Sequence, residues 1–427
     1  MPARLGSRRI RRPSPWFRIR AQLGGGLAFA ALLPFAVLIW LAPTLIELDP
    51  TRDSLIAGVL AVCGGFYMLR SLTIFPGIRA SYYILPTFTS AYGIALAVFF
   101  LLRLEYNRIY FVLSFIICIA WFYIVYFMLQ RQQTISVGVV PYGDVASLRE
   151  IGSIDWLMLE KPGGNGEIYD ALAADFRADM PDEWERFLAD SALQGVTVFH
   201  VKQLRESLTG RVEIEHLSEN NFGSLIPAAA YLKLKMLLDF LGALIAIVPL
   251  LPIFAAVALA VRLDSPGPIF FRQRRIGFRG EPFTVFKFRT MTHNATPEED
   301  VRDHAITRVG DLRITRIGRF LRRARIDELP QLINILRGEM SWIGPRPEVE
   351  ILSKWYETEL PFYRYRHIVR PGITGWAQVN QGHVADVQEV LGKLHYDFYY
   401  IRNFSLWLDV LIAIRTTRTM LTGYGSR

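Results

Sequence analysis

Cysteine is nearly absent from this sequence: Cys63 and Cys118 are the two in 427 residues, and each sits inside an apolar run. A disulfide framework or a cysteine-built zinc cluster is thereby excluded, and each reads as a small buried apolar residue. Acid is missing from the first twenty residues, which carry seven arginines between Arg4 and Arg20, directly before an apolar run from about Leu23 to Pro43. That run is too long for a removable signal peptide and has no small-residue cleavage site, so it reads as a retained span with a cytoplasmic N-terminus. Hydrophobic residues, at 52%, are not scarce, and because they are gathered in runs they exclude disorder and indicate a membrane protein with soluble parts. The net charge of +9 raises nucleic acid as a partner. The arginines, however, cluster beside the apolar runs and around one carboxylate motif, where membrane phosphates and a phosphorylated substrate explain them better.

The length suits two or three domains at roughly 100–200 residues each. Further apolar runs at roughly 54–70, 81–102 and 109–129 come near the roughly 20 residues that cross a hydrocarbon core, giving four spans. Glu47, Asp49 and Asp53 lie in the first loop, Arg70 and Arg79 flank the second, and Arg131 follows the fourth span. With Lys and Arg favoured inside, both ends of the bundle face the cytoplasm. The third loop, with Arg103, Glu105 and Arg108, fits this scheme least well.

From about 134 to 225 the character becomes soluble α/β. Thr134 to Val140, Trp156 to Glu160 and Val196 to Val201 read as strands and Asp182 to Leu193 as a helix, which predicts a small Rossmann-like domain. The turn Pro141-Tyr142-Gly143-Asp144 stands where a nucleotide loop would, yet it lacks G-x-G-x-x-G, so a structural or regulatory domain is the better reading.

The run Met236 to Val261 is long enough to cross but carries Pro249 and Pro252 near its middle. Lys233 and Lys235 precede it, and Arg262, Arg272, Arg274 and Arg275 follow. A helix that enters, breaks at proline and returns keeps both basic flanks inside, whereas the alternative, a kinked full span, puts one outside. Beyond it, Ile269 to Arg274 and Pro282 to Phe288 read as two strands joined through Gly277 to Gly280, and Leu406 to Leu421 reads as a helix at or near the interface.

Candidate chemistry centres on Asp327-Glu328-Leu329-Pro330-Gln331, which follows the arginine-rich run from Arg316 to Arg325 at the start of a helix, with Pro330 in its first turn. Helix-start amides and guanidinium groups favour ionised carboxylates and also make a site for phosphate. An ionised Asp can attack phosphorus, and a neighbouring Glu can hold magnesium; taken alone, the pair reads rather as an acidic helix cap with solvated arginines. In Phe283 to Met291 apolar and polar residues alternate, so Lys287 and Arg289 are expected on one strand face, where they could meet one polyphosphate or simply be solvated. Gly344-Pro345-Arg346-Pro347 is a rigid turn presenting one arginine, and Arg370-Pro371-Gly372-Ile373-Thr374-Gly375-Trp376 is a second such loop.

These elements, with Leu263-Asp264-Ser265-Pro266-Gly267-Pro268 ahead of them, occur in the order found in the bacterial sugar transferase family, the monotopic phosphoglycosyl transferases. The stretch from about Tyr231 to the C-terminus, nearly half the chain, resembles that family. With its four spans and Rossmann-like segment, the whole chain resembles the longer polyisoprenyl-phosphate hexose-1-phosphate transferases of the undecaprenyl-phosphate glucose or galactose phosphotransferase kind. The resemblance implies Asp327 as nucleophile, Glu328 as ligand of a magnesium ion, and Lys287, Arg322 and Arg346 near substrate phosphates, and Arg289, expected on the same strand face as Lys287, is placed with them. It also implies a reentrant helix with its break at Pro252. Small relatives often carry Ser-Pro at the break; here the pair is Leu251-Pro252, so a serine role there does not transfer.

The expected architecture is a basic segment 1–20, a four-helix transmembrane bundle within 21–131, a Rossmann-like domain at 132–228 and a mainly helical α+β catalytic domain at 229–427, whose reentrant helix occupies about 234–262. The expected activity moves hexose-1-phosphate from a UDP-hexose to undecaprenyl phosphate through an Asp-phosphosugar intermediate and releases UMP. It would be the first membrane step of exopolysaccharide, capsule or O-antigen synthesis, on the cytoplasmic face of the bacterial inner membrane. Membrane lipids, and a second copy of the chain as a homodimer, complete the expected partners; nucleic acid is not among them. The alternatives are a non-catalytic scaffold for polysaccharide assembly and a glycosyltransferase that releases UDP.

Overall fold

A computed structural model describes residues 19–41, 48–73, 80–130, 136–149, 151–152, 154–163, 169–214, 229–292, 313–381 and 387–422. Nearly all of the basic N-terminal segment, together with Glu47, Arg79 and Arg131 of the expected loop charges, lies outside these residues. The chain divides into two compact units, Met1–Thr209 and Gly210–Arg427.

The first unit opens with four long apolar helices: α1 (Ile19–Leu41), α2 (Leu48–Leu72), α3 (Ser81–Leu102) and α4 (Arg108–Gln130). A π-helical stretch, Leu27–Leu32, lies inside α1. With no gain from burying apolar surface inside lipid, such helices associate through small residues and close packing. Gly25 and Gly65 show this directly: a Cβ on either would stand 1.9 Å from Trp121 or 2.4 Å from Phe88. Stacked rings of Phe88 and Phe122 fill the centre. Asn107 secures the third loop, accepting from Tyr110 N–H, donating through Nδ2 to Thr51 Oγ1 and through its backbone N–H to Ser54 Oγ. The start of α4 therefore sits beside the start of α2.

The same unit continues into a parallel sheet of β1 (Ser136–Val139), β2 (Asp155–Met158), β3 (Ala171–Ala174) and β4 (Thr197–His200), ordered β2-β1-β3-β4. Helix α5 (Asp182–Leu193) covers the face with Leu172 and Ala174, and α6 (Val201–Thr209) covers the face with Ala171 and Ala173. Strand β3 was not expected; Ala-Leu-Ala-Ala has no β-branched residue and is buried on both faces, so it shows neither β propensity nor alternation. The strand order reverses between β1 and β3, where such sheets bind ligands at their carboxyl ends. Here Gly143, at φ +78°, turns tightly against the buried Asp175, which accepts from the N–H groups of Asp144 and Arg177. The loop is closed onto its own carboxylate.

The second unit begins with α7 (Ala229–Asp264), followed by the antiparallel hairpin β5 (Phe270–Ile276) and β6 (Pro282–Phe288). After α8 (Arg316–Arg323) come a 3-10 turn, Ile326–Gln331, and the short α9 (Leu332–Leu336). Strands β7 (Ser341–Ile343) and β8 (Gly372–Thr374) pair in parallel. Between them lie α10 (Glu350–Glu359) and a 3-10 turn, Tyr363–Ile368; α11 (Trp376–Asn380), α12 (Val387–Arg402) and α13 (Leu406–Thr422) complete the unit.

Helix α7 is helical throughout, with Pro249 and Pro252 inside it. One stripe, Ala243, Leu250, Phe254, Val257 and Val261, packs on the hairpin and on α8 and α9 at helical spacing. Both ends are tied to the same unit. Lys235 Nζ lies 2.7 Å from Asp409 Oδ2, Trp342 Nε1 donates to the Asp239 carbonyl, and Arg289 donates to the Val261 carbonyl. Only 11% of its most apolar stretch is buried, an arrangement water would not tolerate. With α1 to α4, α7 makes five helices long and apolar enough to cross a membrane among the described residues, which marks the chain as membrane-embedded.

Candidate active site

The Asp327-Glu328 pair is set by an unusual backbone. Arg325 adopts a left-handed conformation, φ +55°, and turns the chain out of α8 into the 3-10 turn Ile326–Gln331. The pair thus lies in a tight turn that feeds α9 rather than in the first turn of an α-helix, and Pro330 sits inside that turn. A non-glycine residue pays conformational energy to hold such an angle, so the surroundings must fix it. Just after that turn, Asn334 on α9 is fully buried. Its Nδ2 donates to the Thr284 carbonyl and its Oδ1 accepts from Phe286 N–H, satisfying the edge of β6 that β5 leaves free. Lys287 is thereby held against the turn. Sequence reasoning passed over Asn334, although a lone amide within Leu332–Leu336 is a visible signal of a buried polar contact.

Asp327 and Glu328 are 8% and 6% exposed. Glu328 is the hub: its Oε1 accepts from Lys287 Nζ and Arg346 Nη2, each at 2.9 Å, and Arg325 Nη1 lies 3.8 Å from Oε2. Burial would raise the Glu328 carboxyl, but Arg346 and Lys287 outweigh it and hold the group well below the usual carboxylate range. Asp327 moves the opposite way, raised by burial first and by the Glu328 charge second, against the pull of Lys287, Arg322 and Arg346. It makes no hydrogen bond to any described residue. The pair is therefore divided into one carboxylate locked by cations and one left unengaged.

Arg346 comes from the Gly344-Pro345-Arg346-Pro347 turn, which runs on from β7 and crosses the β8 loop at glycine. A Cβ on Gly344 would stand 2.3 Å from the Arg370 carbonyl, and one on Gly372 would stand 2.1 Å from Gly344 N. The two loops that looked ordinary separately are one unit. Beneath them Arg366, 3% exposed, donates to Asp397 Oδ2 at 2.9 Å, to Tyr363 Oη and to the Arg346 carbonyl. Arg275 donates to the Pro347 carbonyl, and Glu348 pairs with Lys393. Neither Arg366 nor Asp397 stood out in the sequence, because a pair 31 residues apart has no local pattern.

The fold brings Asp327, Glu328, Lys287 and Arg346 together, with Arg322 near enough for its charge to act on Asp327. Arg322 Nε also donates to Thr290 Oγ1. Arg289 does not join them. Strand β6 ends at Phe288, so the alternation that should align Arg289 with Lys287 lapses, and Arg289 turns to Val261 and Ser265 at the end of α7. Pro252 lies on the exposed face of α7. Among the described residues no cluster of three His, Cys, Asp or Glu could hold a metal. A magnesium ion, however, commonly takes one or two carboxylates and completes its shell with water and substrate phosphate. Glu328 Oε2, buried beside Asp327 without a hydrogen-bond partner, fits that donor set.

Residues 230–423 match the family model for bacterial sugar transferases. The UDP-N-acetylgalactosamine-undecaprenyl-phosphate N-acetylgalactosaminephosphotransferase of Aeromonas hydrophila is 44% identical over 382 residues, 89% of each chain. The UDP-glucose:undecaprenyl-phosphate glucose-1-phosphate transferase of Xanthomonas campestris pv. campestris is 44% identical over 193 residues, 44% of this chain and 38% of that one. The exopolysaccharide production protein PSS of Rhizobium leguminosarum bv. phaseoli is 40% identical over 196 residues, 45% of this chain and 96% of its own length. The family-defining half thus stands almost alone in one relative, and in another the likeness runs through both halves: this chain belongs to the bacterial sugar transferase family.

Proposed function

We propose that the chain transfers a hexose-1-phosphate from a UDP-sugar to undecaprenyl phosphate through a phosphosugar carried on Asp327. The observation that carries this reading is the division of the carboxylate pair: Glu328 is held by Lys287 and Arg346, while Asp327 has no hydrogen bond to a described residue. An Asp oxygen attacks the sugar-linked phosphorus, the bond from that phosphorus to the bridging oxygen breaks, and UMP leaves with the electron pair. An oxygen of the polyprenyl phosphate then attacks the same phosphorus, the acyl-phosphate bond breaks, and the Asp327 carboxylate returns. Lys287, Arg322 and Arg346 hold the diphosphate and offset charge that grows on the leaving phosphate, so positioning and electrostatics supply most of the rate. Glu328, joined by substrate phosphate, would hold the magnesium ion, which when bound supplies further charge neutralisation.

The membrane geometry supports an acceptor arriving at headgroup depth. Pro249 and Pro252 lie on the outer face of α7, opposite the packed stripe. A proline crowds the carbonyl four residues earlier and favours a bend away from its own side, which here is toward the domain that ties both ends. Such a bend supports a reentrant helix whose basic flanks share the cytoplasmic face. In the four-helix bundle the adjacent starts of α2 and α4 support alternating crossings. The relative matching both halves is named for an N-acetylgalactosamine donor, while those named for glucose match one half. UDP-N-acetylgalactosamine therefore leads the donor order, ahead of glucose and galactose.

Purified protein with undecaprenyl phosphate, magnesium and a panel of UDP-sugars provides the test. UMP release from one donor, lost in Asp327→Asn, is the expected outcome. UDP release, or no nucleotide release by folded protein with any donor, contradicts it.

A further inference from the structure

Where α7 ends, the structure holds a buried cation whose hydrogen-bonding capacity is only partly used. Arg289 is 5% exposed. Its Nη2 donates to the carbonyls of Val261 at 3.3 Å and Ser265 at 2.5 Å and to Ser265 Oγ at 3.0 Å, as suits a cation at a helix C-terminus. Its Nε and Nη1 have no hydrogen-bond partner among the described residues. Buried charged donors are rarely left so without a ligand, ion or water to receive them. The nearby Asp264 acts on Arg289 through its charge but makes no hydrogen bond to it, its Oδ2 accepting from Ile317 N–H. Arg262, whose charge opposes that of Arg289, donates to the Gly267 carbonyl.

Two features say what the missing acceptor is. Thr290, the next residue, accepts from Arg322 Nε at 3.1 Å, and Arg322 in turn acts on Asp327, so the cation lies on a short path to the reacting carboxylate. The end of α7 beside it is also apolar and bare: Leu259 is 62% exposed and Leu263 is 77% exposed. An anion placed here would have hydrocarbon next to it, as a lipid phosphate does and a soluble nucleotide does not.

We propose that Arg289, linked through Thr290 to Arg322, receives the phosphate monoester of the lipid acceptor, at a place separate from the Glu328 cluster that serves the nucleotide donor. The inference rests on the transferase reading above. A monoester offers three strong acceptor oxygens, and a buried guanidinium whose Nε–H and Nη1–H point to different sides has a donor for such an oxygen on either. The acceptor would thus be held from the membrane side while the donor is held by Lys287 and Arg346.

The test separates the two half-reactions of the full chain in nanodiscs of phosphatidylcholine. UMP released in a single turnover without acceptor reports the donor step; the KM for polyprenyl phosphate reports the acceptor. Arg289→Gln should leave the single-turnover burst and the donor KM unchanged and raise the acceptor KM about 10-fold or more, the loss of a charge-assisted pair. Arg289→Lys, which keeps the charge without the guanidinium's spread of donors, should shift the acceptor KM in the same direction by less, and it decides the matter if the glutamine variant does not fold. An unchanged acceptor KM in the folded variants overturns the proposal, and so does a burst that falls with it. If phosphatidylglycerol alters the wild-type rate at saturating acceptor, and Arg289→Gln abolishes that effect without moving the acceptor KM, the site takes a phospholipid headgroup and the acceptor assignment fails. Absence of a burst in the wild type instead removes the transferase reading, and this inference with it.

Discussion

Asp327 and Lys287 set opposite limits on the working pH. Burial, reinforced by the Glu328 charge, holds the Asp327 carboxyl above the ordinary carboxylate range. Only the ionised form attacks, so the acid limb of kcat should lie at higher pH than an unperturbed aspartate would give. Burial pushes Lys287 down to about 8, Glu328 opposing and Arg346 and Arg275 adding to the fall. Its charge is lost as pH rises through that value, which starts the alkaline limb there. A pH series on Lys287→Arg, whose cation keeps its proton throughout, should show the acid limb retained and the alkaline limb gone. Asn334→Ala should destabilise the protein by about 1–3 kcal/mol, because Phe286 N–H and the Thr284 carbonyl lose their partners. Thermal unfolding measures that loss, and kcat should fall with it as Lys287 loosens. The Asp-Glu pair and the basic positions were legible as residue types in order. Their directions were less so: Arg289 followed a strand that stops one residue too soon, and Asn334 and Arg366 act across contacts no local spacing encodes.

Elements were legible where periodicity is strong. The long apolar helices and the β5–β6 hairpin follow the expected bounds within a few residues, while β3 was lost because burial on both faces erases alternation. In α7 the prolines predicted an interruption, yet the helix runs through them, supported on its inner stripe by the hairpin and α9. It is tied to its own unit by Asp409 and Trp342 at one end and by Arg289 at the other, and the proposed return to one face rests on those tethers. In a background lacking Cys63 and Cys118, single cysteines at Lys233 and Arg262 should react with an impermeant thiol reagent from the same side of sealed vesicles. Labelling from opposite sides would mean a crossing helix. Pro249→Ala with Pro252→Ala restores the hydrogen bonds to the Ile245 and Val248 carbonyls and should shift part of the population toward opposite-side labelling.

At the scale of the whole molecule, every residue assigned to the chemistry lies within Gly210–Arg427, the unit that matches the family model. The first unit contributes the apolar bundle and a sheet whose ligand crevice is closed on Asp175. The two units meet at Thr209–Gly210, about twenty residues before the boundary expected from composition, and the closed loop at Gly143 depended on a backbone angle that residue type alone does not fix. The central claim is that sugar phosphate passes through Asp327. Wild-type protein incubated with magnesium and its UDP-sugar donor but no acceptor, quenched and digested, should show by mass spectrometry one hexose-phosphate adduct, on the peptide containing Asp327, and the adduct should disappear when undecaprenyl phosphate is added. Turnover to lipid-linked sugar with no adduct at any time point, or an adduct that persists in Asp327→Asn, would contradict the account.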